Sequence, residues 1–153
     1  MIQRVQSLYL LIAIIVAAVM LFVPLMSVVN AEGVRLVTFT GMACDTALPE
    51  MAGHHPWWIS VFGGLSVLCP VVSLFLFKNR KKQVLWANLT VVSNALCLLA
   101  IAYTGFEAND ILKGAINPEL CSLLPLVSIV AAIMARKGIR HDEALVRAAD
   151  RIR

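Results

Sequence analysis

The sequence is short of charge, of histidine and of paired cysteines, and each shortage removes a class of function. Only 14% of its 153 residues are Asp, Glu, Lys or Arg, 60% are hydrophobic, and the mean hydropathy is +0.85. Soluble domains carry about 25% charged residues on a chain that is about half apolar. A water-soluble core is therefore excluded. The four cysteines, Cys44, Cys69, Cys97 and Cys121, form no C-x-x-C pair, which removes a zinc ribbon and a thioredoxin-type redox motif. The three histidines, His54, His55 and His141, stand outside every apolar run, so a b-type haem held between spans has no ligands. His54 and His55 are adjacent and point apart on an extended chain. With Pro56-Trp57-Trp58 following, they read as solvated residues at headgroup level.

The apolar runs also lack a buried ionisable group. Proton relays and ion-coupled carriers place such groups at membrane depth. Ser60, Ser66 and Ser73 have no histidine near them in the sequence of the spans, which removes an intramembrane serine protease. No catalytic residue, cofactor site or metal site is expected.

What the sequence does have is four long apolar stretches, at residues 7–29, 57–77, 84–103 and 120–135. About 20 helical residues cross the roughly 30 Å of hydrocarbon in a bilayer. Inside lipid the backbone is satisfied only as a helix or a closed barrel, and barrel-type alternation is absent from runs such as Leu8 to Val16. The fourth stretch is short and extends outwards through 117–119. Arg4, the first run and Val29-Asn30-Ala31 have the layout of a signal peptide. The run is longer than the about 7–15 residues of a signal core and contains Pro24, so an uncleaved anchor is expected.

Charge sets the orientation. The sequence carries a net charge of +4. Eleven of its thirteen Lys and Arg residues fall at Arg4, in 78–82, and after the fourth run at Arg136, Lys137, Arg140, Arg147, Arg151 and Arg153. Only Arg35 and Lys113 lie on the other side. The basic residues flank apolar runs, which speaks for membrane orientation and against nucleic acid. Both termini are expected in the cytoplasm, and four spans satisfy that parity. The expected fold is all-α: a polytopic membrane protein with a four-helix antiparallel transmembrane bundle over 1–138. Its outer loops are 30–56 and 104–118, with a short β element at 34–40 in the first. Asn117-Pro118 is expected to open the fourth helix, and Gly138 to interrupt it. Residues 139–153 then form a separate cytoplasmic amphipathic helix, with Leu145, Ala148, Ala149 and Ile152 on one stripe. Such a helix can rest on anionic headgroups or on a partner.

Small residues recur at spacings of three and four in every span. They are Ala13 and Ala17; Gly63, Ser66, Pro70 and Ser73; Ala87, Thr90, Asn94 and Cys97; and Cys121, Pro125, Ser128, Ala132 and Ala135. Lipid gives helices no hydrophobic reason to associate, so close packing of such faces does it. These faces are expected inside the bundle. Asn88 and Asn94 are the most polar residues within a span. They read first as hydrogen-bonding groups between helices, and otherwise as part of a path with Ser128.

The two ends carry a resemblance. Met1-Ile2-Gln3-Arg4-Val5-Gln6-Ser7-Leu8-Tyr9-Leu10-Leu11 resembles the opening of a small inner-membrane family of Bacteroidetes-type bacteria, the domain of unknown function 4293. Gly138-Ile139-Arg140-His141-Asp142-Glu143-Ala144-Leu145-Val146-Arg147, through Asp150-Arg151-Ile152-Arg153, resembles that family's charged tail. The resemblance implies four helices in a bacterial inner membrane and carries over no activity or cofactor. A non-enzymatic accessory or scaffold subunit is the leading expectation. It would dock on a larger inner-membrane or cytoplasmic assembly, or on copies of itself, through Gln3, Arg4, Gln6, Arg140, Asp142, Glu143, Arg147, Asp150 and Arg151. The alternatives are a small transporter or lipid-handling protein using Asn88, Asn94 and Ser128, and a thiol redox protein using Cys44 and Cys121 in an oxidising compartment.

Overall fold

The computed structural model describes residues 3–30, 33–39, 41–44, 57–77, 79–112 and 115–152. Four helices follow one another along the chain: α1 (Gln3–Met20), α2 (Trp57–Phe75), α3 (Arg80–Leu112) and α4 (Leu124–Ile152). Short strands β1 (Met26–Asn30), β2 (Gly33–Thr38), β3 (Gly41–Cys44) and β4 (Ala115–Pro118) join in one antiparallel sheet, in the order β3-β2-β1-β4. Three segments, Trp57–Phe75, Arg80–Glu107 and Leu120–Val146, are long and apolar enough to cross a membrane. The apolar part of α1, Val5–Met20, is shorter.

The helices close into a ring in which α2 packs between α1 and α3, and α4 packs between α3 and α1. The small-residue faces do point inwards. Ala13, Ala17, Gly63, Ser66, Pro70, Ser73, Ala87, Thr90, Asn94, Cys97, Pro125, Ser128, Ala132 and Ala135 are all buried, and Cys121 at the end of its stripe is half-buried. The opposite faces carry exposed Leu, Ile, Val and Phe, among them Leu8, Ile15, Leu68, Leu99 and Val130, which suits a lipid surround.

The element boundaries depart from the sequence expectation where proline and packing intervene. The first helix stops at Met20 and does not reach 29. Proline disfavours helical backbone in the residue before it and lacks an N–H, so Pro24 forces the exit. Leu21 and Phe22 close the helix with short bonds to the carbonyls of Ala18 and Val19, each 3.1 Å. Residues 26–30 are strand β1, and the expected β element becomes the middle of a four-stranded sheet. Residues 104–112, expected as loop, continue α3, because β1 packs along it: Gly105 is buried beside Met26. Pro118 does not open a helix. It ends the edge strand β4 opposite Met26, a position that tolerates a missing donor. A 3₁₀ turn, Leu120–Leu123, then leads into α4, whose first turn holds Pro125.

The largest apolar cluster lies where the sheet caps the bundle. Met20, Leu25, Met26, Val28, Val37, Phe39, Ile59, Cys97 and Ile101 pack together there, flanked by Trp58, Phe62 and Ile116. Trp58 stands edge-on to Trp57 and to Tyr103, with ring centroids 5.8 and 5.7 Å away. Its indole donates to the Thr104 hydroxyl at 3.3 Å. Aromatic residues with a polar edge collect at membrane–water boundaries, and this group marks one boundary at the sheet end. From Lys82 to Tyr103 is about 32 Å of helix at 1.5 Å per residue, close to the thickness of the hydrocarbon layer.

Two adjacent glycines test this cap. A Cβ on Gly63 would lie 2.5 Å from the buried ring of Phe39, whose carbonyl accepts a hydrogen bond from the Ser60 hydroxyl. A Cβ on Gly64 would meet open space. Gly63→Ala is expected to destabilise by about 1–3 kcal/mol through overpacking. Gly64→Ala is expected to be neutral or to stabilise by up to about 1 kcal/mol through helix propensity. Denaturant unfolding of the two variants in one detergent checks the contrast.

Candidate functional site

Buried polar side chains stand on all four helices of this bundle, and they gather in layers. The layer at the basic end is built by α1 and α4. Gln6 and Asp142 are both buried, at 6% and 7% exposure, and the Gln6 amide donates to an Asp142 carboxyl oxygen. Gly138, one turn before Asp142 on the same helix face, makes room for it: a Cβ there would sit 2.9 Å from Gln6 Cγ. The expected break at Gly138 is therefore absent, and α4 runs through to Ile152. Glycine costs a helix only about 1 kcal/mol. Burial of Ala135 and Ile139 on either side, together with the Gln6 contact, holds the helix together across it. On the other side of the same end, the Ser73 hydroxyl donates to the Gln83 carbonyl at 3.2 Å and ties α2 to α3.

One layer further in, Arg136 of α4 donates through Nη1 to Asn88 Oδ1 of α3 at 2.9 Å. Asn88 is thereby a hydrogen-bonding group between helices, and it receives a cation that the sequence had placed at the end of its span. Long basic side chains reach along a helix in this way. The middle layer differs. Asn94 and Ser128 are fully buried. The Asn94 amide donates to its own helix at the Thr90 carbonyl, 2.9 Å away. Asn94 Oδ1 and Ser128 Oγ have no hydrogen-bond partner. α3 and α4 run antiparallel, so the Asn88–Arg136 contact places Asn94 and Ser128 within about one helical turn, or about 5.4 Å, of the same height. Buried polar atoms are nearly always paired, so these two leave the middle layer chemically unfilled; Arg136 Nε, one layer outwards, is also buried without a partner.

The other proposed residues fall as follows. Arg140 is exposed and Glu143 half-buried on α4. Gln3, Arg4, Arg147, Asp150 and Arg151 lie on helix backbone, but their side chains are outside the described residues, as are His54 and His55 altogether. Cys121 is a free thiol. Cys44 ends β3 opposite Arg35 on one edge of the sheet, while Cys121 follows β4 on the other edge. Three strand spacings separate those edges, about 14 Å, and a disulfide needs Cα atoms within about 7 Å. The strand order thus sets the backbone of Cys44 and strand β4 on opposite edges of the sheet; the Cys44 side chain lies outside the described residues. Among the described residues, no group of three His, Cys, Asp or Glu could hold a metal ion.

A family model matches residues 2–152. The chain belongs to the family described as Domain of unknown function (DUF4293). No curated protein matches it. For this family member, the match takes in both the α1–α4 contact and the middle layer, so these belong to one unit of sequence.

The Gln6–Asp142 pair was not legible as a pair, since 136 residues separate the two. The available signal was Gly138 one turn before Asp142 on one helix face, a small residue that lets another helix come close. Gln6→Leu is expected to cost about 1–3 kcal/mol, because it strands a buried carboxyl. Adding Asp142→Leu should restore most of that loss. A double-mutant cycle by thermal unfolding reads the coupling; near-zero coupling would show that the contact contributes nothing.

Proposed function

We propose that this chain is a four-span protein of the bacterial inner membrane, with both termini cytoplasmic, serving as a non-enzymatic accessory or scaffold subunit. The fourth span is α1. Its apolar part, Val5–Met20, is about 24 Å of helix at 1.5 Å per residue, and residues 21–25 carry the chain on to the sheet. It starts level with the α4 segment around Asp142 and ends at the sheet, so it runs the same height as its neighbours. Orientation is supported by charge. The exposed cations Lys81, Lys82, Lys137 and Arg140 lie at the end away from the sheet, and Asp110 and Glu119 lie exposed at the sheet end.

The observation that carries the subunit reading is the far end of α4. The helix continues ten residues past Asp142, to Ile152. There Ala144, Leu145 and Val146 are exposed, the last two at 49% and 47%. Apolar surface next to basic residues, at the last turn of the Leu120–Val146 segment, fits a docking surface for another protein. Gln6 and Asp142 are turned inwards and hold the helix that presents this surface, while Arg140 stays available at its base.

In native membranes, chemical cross-linking and purification of the full chain are expected to yield a stoichiometric partner. Leu145→Glu with Val146→Glu should remove that partner without lowering the level of the chain. A partner retained by this variant would overturn the docking surface.

A transporter or lipid-handling role is the second reading, favoured by the unfilled layer at Asn94 and Ser128. Asn94→Leu separates the two readings. Under the subunit reading it preserves partner recovery, as measured by quantitative mass spectrometry, and it stabilises the bundle by removing an unpaired buried oxygen. Under the path reading it abolishes function at unchanged protein level.

A further inference from the structure

A groove of about 340 Å³ runs along α3 at the sheet end, walled by Met26, Ile101, Gly105, Phe106, Ile116 and Leu123. Among the described residues of its wall the only polar side chain is Ser122, which already donates its hydroxyl to the Glu119 carbonyl at 2.7 Å. Its mouth lies between Ala102, Phe106 and Leu123, all exposed, on a face continuous with the exposed Leu99 and Val127. It stands at the height of Tyr103, the aromatic marker of the boundary.

We propose that this groove holds one acyl chain of a membrane phospholipid, entering sideways from the bilayer. The inference rests on the membrane-spanning reading of α3 and α4. Chemistry selects the guest: the described residues of the wall offer no free donor or acceptor, which suits hydrocarbon, because a polar group placed against them would go unpaired. Size excludes a helix from a partner or a second copy. A helix about 10 Å across fills 340 Å³ in less than one turn. At roughly 30 Å³ per water-sized group, the same space takes about ten such groups in a row, much of an acyl chain. Beyond the mouth stand Asp110, one turn past Phe106, and Glu119, both exposed. These acids match an amine-bearing headgroup and repel a net anionic one.

The test uses the full chain in vesicles of phosphatidylethanolamine and phosphatidylglycerol. The probe is a trace of phosphatidylethanolamine carrying a diazirine within one acyl chain. After irradiation, mass spectrometry maps the adducts. Labelling is expected to concentrate on residues 98–106 and 116–123. Ala102→Trp plugs the mouth from the exposed side and should lower that labelling several-fold, leaving labels near Leu8, Ile15 and Leu68 unchanged. Gly105→Leu fills the groove from within and should do the same. Gly105→Ala adds a Cβ at an ordinary 3.6 Å from Met26 and should keep the labelling. Labels spread evenly over all exposed apolar faces, or unmoved by Ala102→Trp, would overturn the groove as a lipid site. So would cross-links joining two copies there. An absence of label anywhere on α2, α3 and α4 would instead overturn the membrane reading itself.

Discussion

Close approach of the helix backbones is the condition on which the rest of this structure depends. In lipid the helices gain nothing by hiding leucine from leucine, so their association has to come from atoms that reach one another. Each helix therefore keeps its smallest residues for the inside. Ala13 and Ala17 of α1, the Gly63-to-Ser73 face of α2, Ala87 and Cys97 of α3, and Ala132 and Ala135 of α4 are buried. Once backbones are that near, short polar side chains can act between helices or upon them. The Ser73 hydroxyl then reaches the backbone of α3, and Gln6 meets Asp142 across a glycine. The large side chains are left outside, where lipid accepts them without cost.

The same condition explains what the sequence revealed and what it withheld. Helix faces were legible because a period of three and four residues needs no knowledge of the partner. Ser66, Thr90, Asn94 and Ser128 could be assigned to the interior one helix at a time. Ends and partners were not legible in that way. Whether helix α3 stops at Tyr103 or runs to Leu112 depends on β1 lying against it, a contact between residues far apart in sequence. Gly138 looked like a break because its cost is local, while its gain comes from Gln6 at the other end of the chain. Pro118 looked like a helix start because proline favours both a first turn and an edge strand. Only pairing with Met26 decides between them. Pro24 was also in plain view, yet the apolar run continued past it to Val29. Hydropathy reads solubility in lipid, and it does not distinguish a helix from a strand buried under a cap.

The cap has a consequence for the bundle beneath it. Four helices packed through small residues have few large side chains with which to fix their register. The sheet supplies them. β1 leaves α1 within six residues of its end, and β4 sits between α3 and α4, so pairing β1 with β4 ties the first helix to the last two. Phe39 then locks against Gly63, which draws α2 into the same arrangement. At the opposite end the Gln6–Asp142 contact ties α1 to α4 again. Helix α1 is thus held at both ends although its apolar stretch is the shortest.

Anchored ends and an unfilled middle together constrain what the molecule can do. Both ends of the bundle are closed by specific contacts. Asn94 Oδ1 and Ser128 Oγ lie between those closures, fully buried and without a hydrogen-bond partner. The surfaces free to engage something else are then the ones the bundle does not use: the lipid-facing groove beside β4 and the apolar face of α4 beyond Asp142. They sit at opposite ends of the same two helices, so a protein bound at the basic end and a lipid bound at the sheet end would engage one bundle.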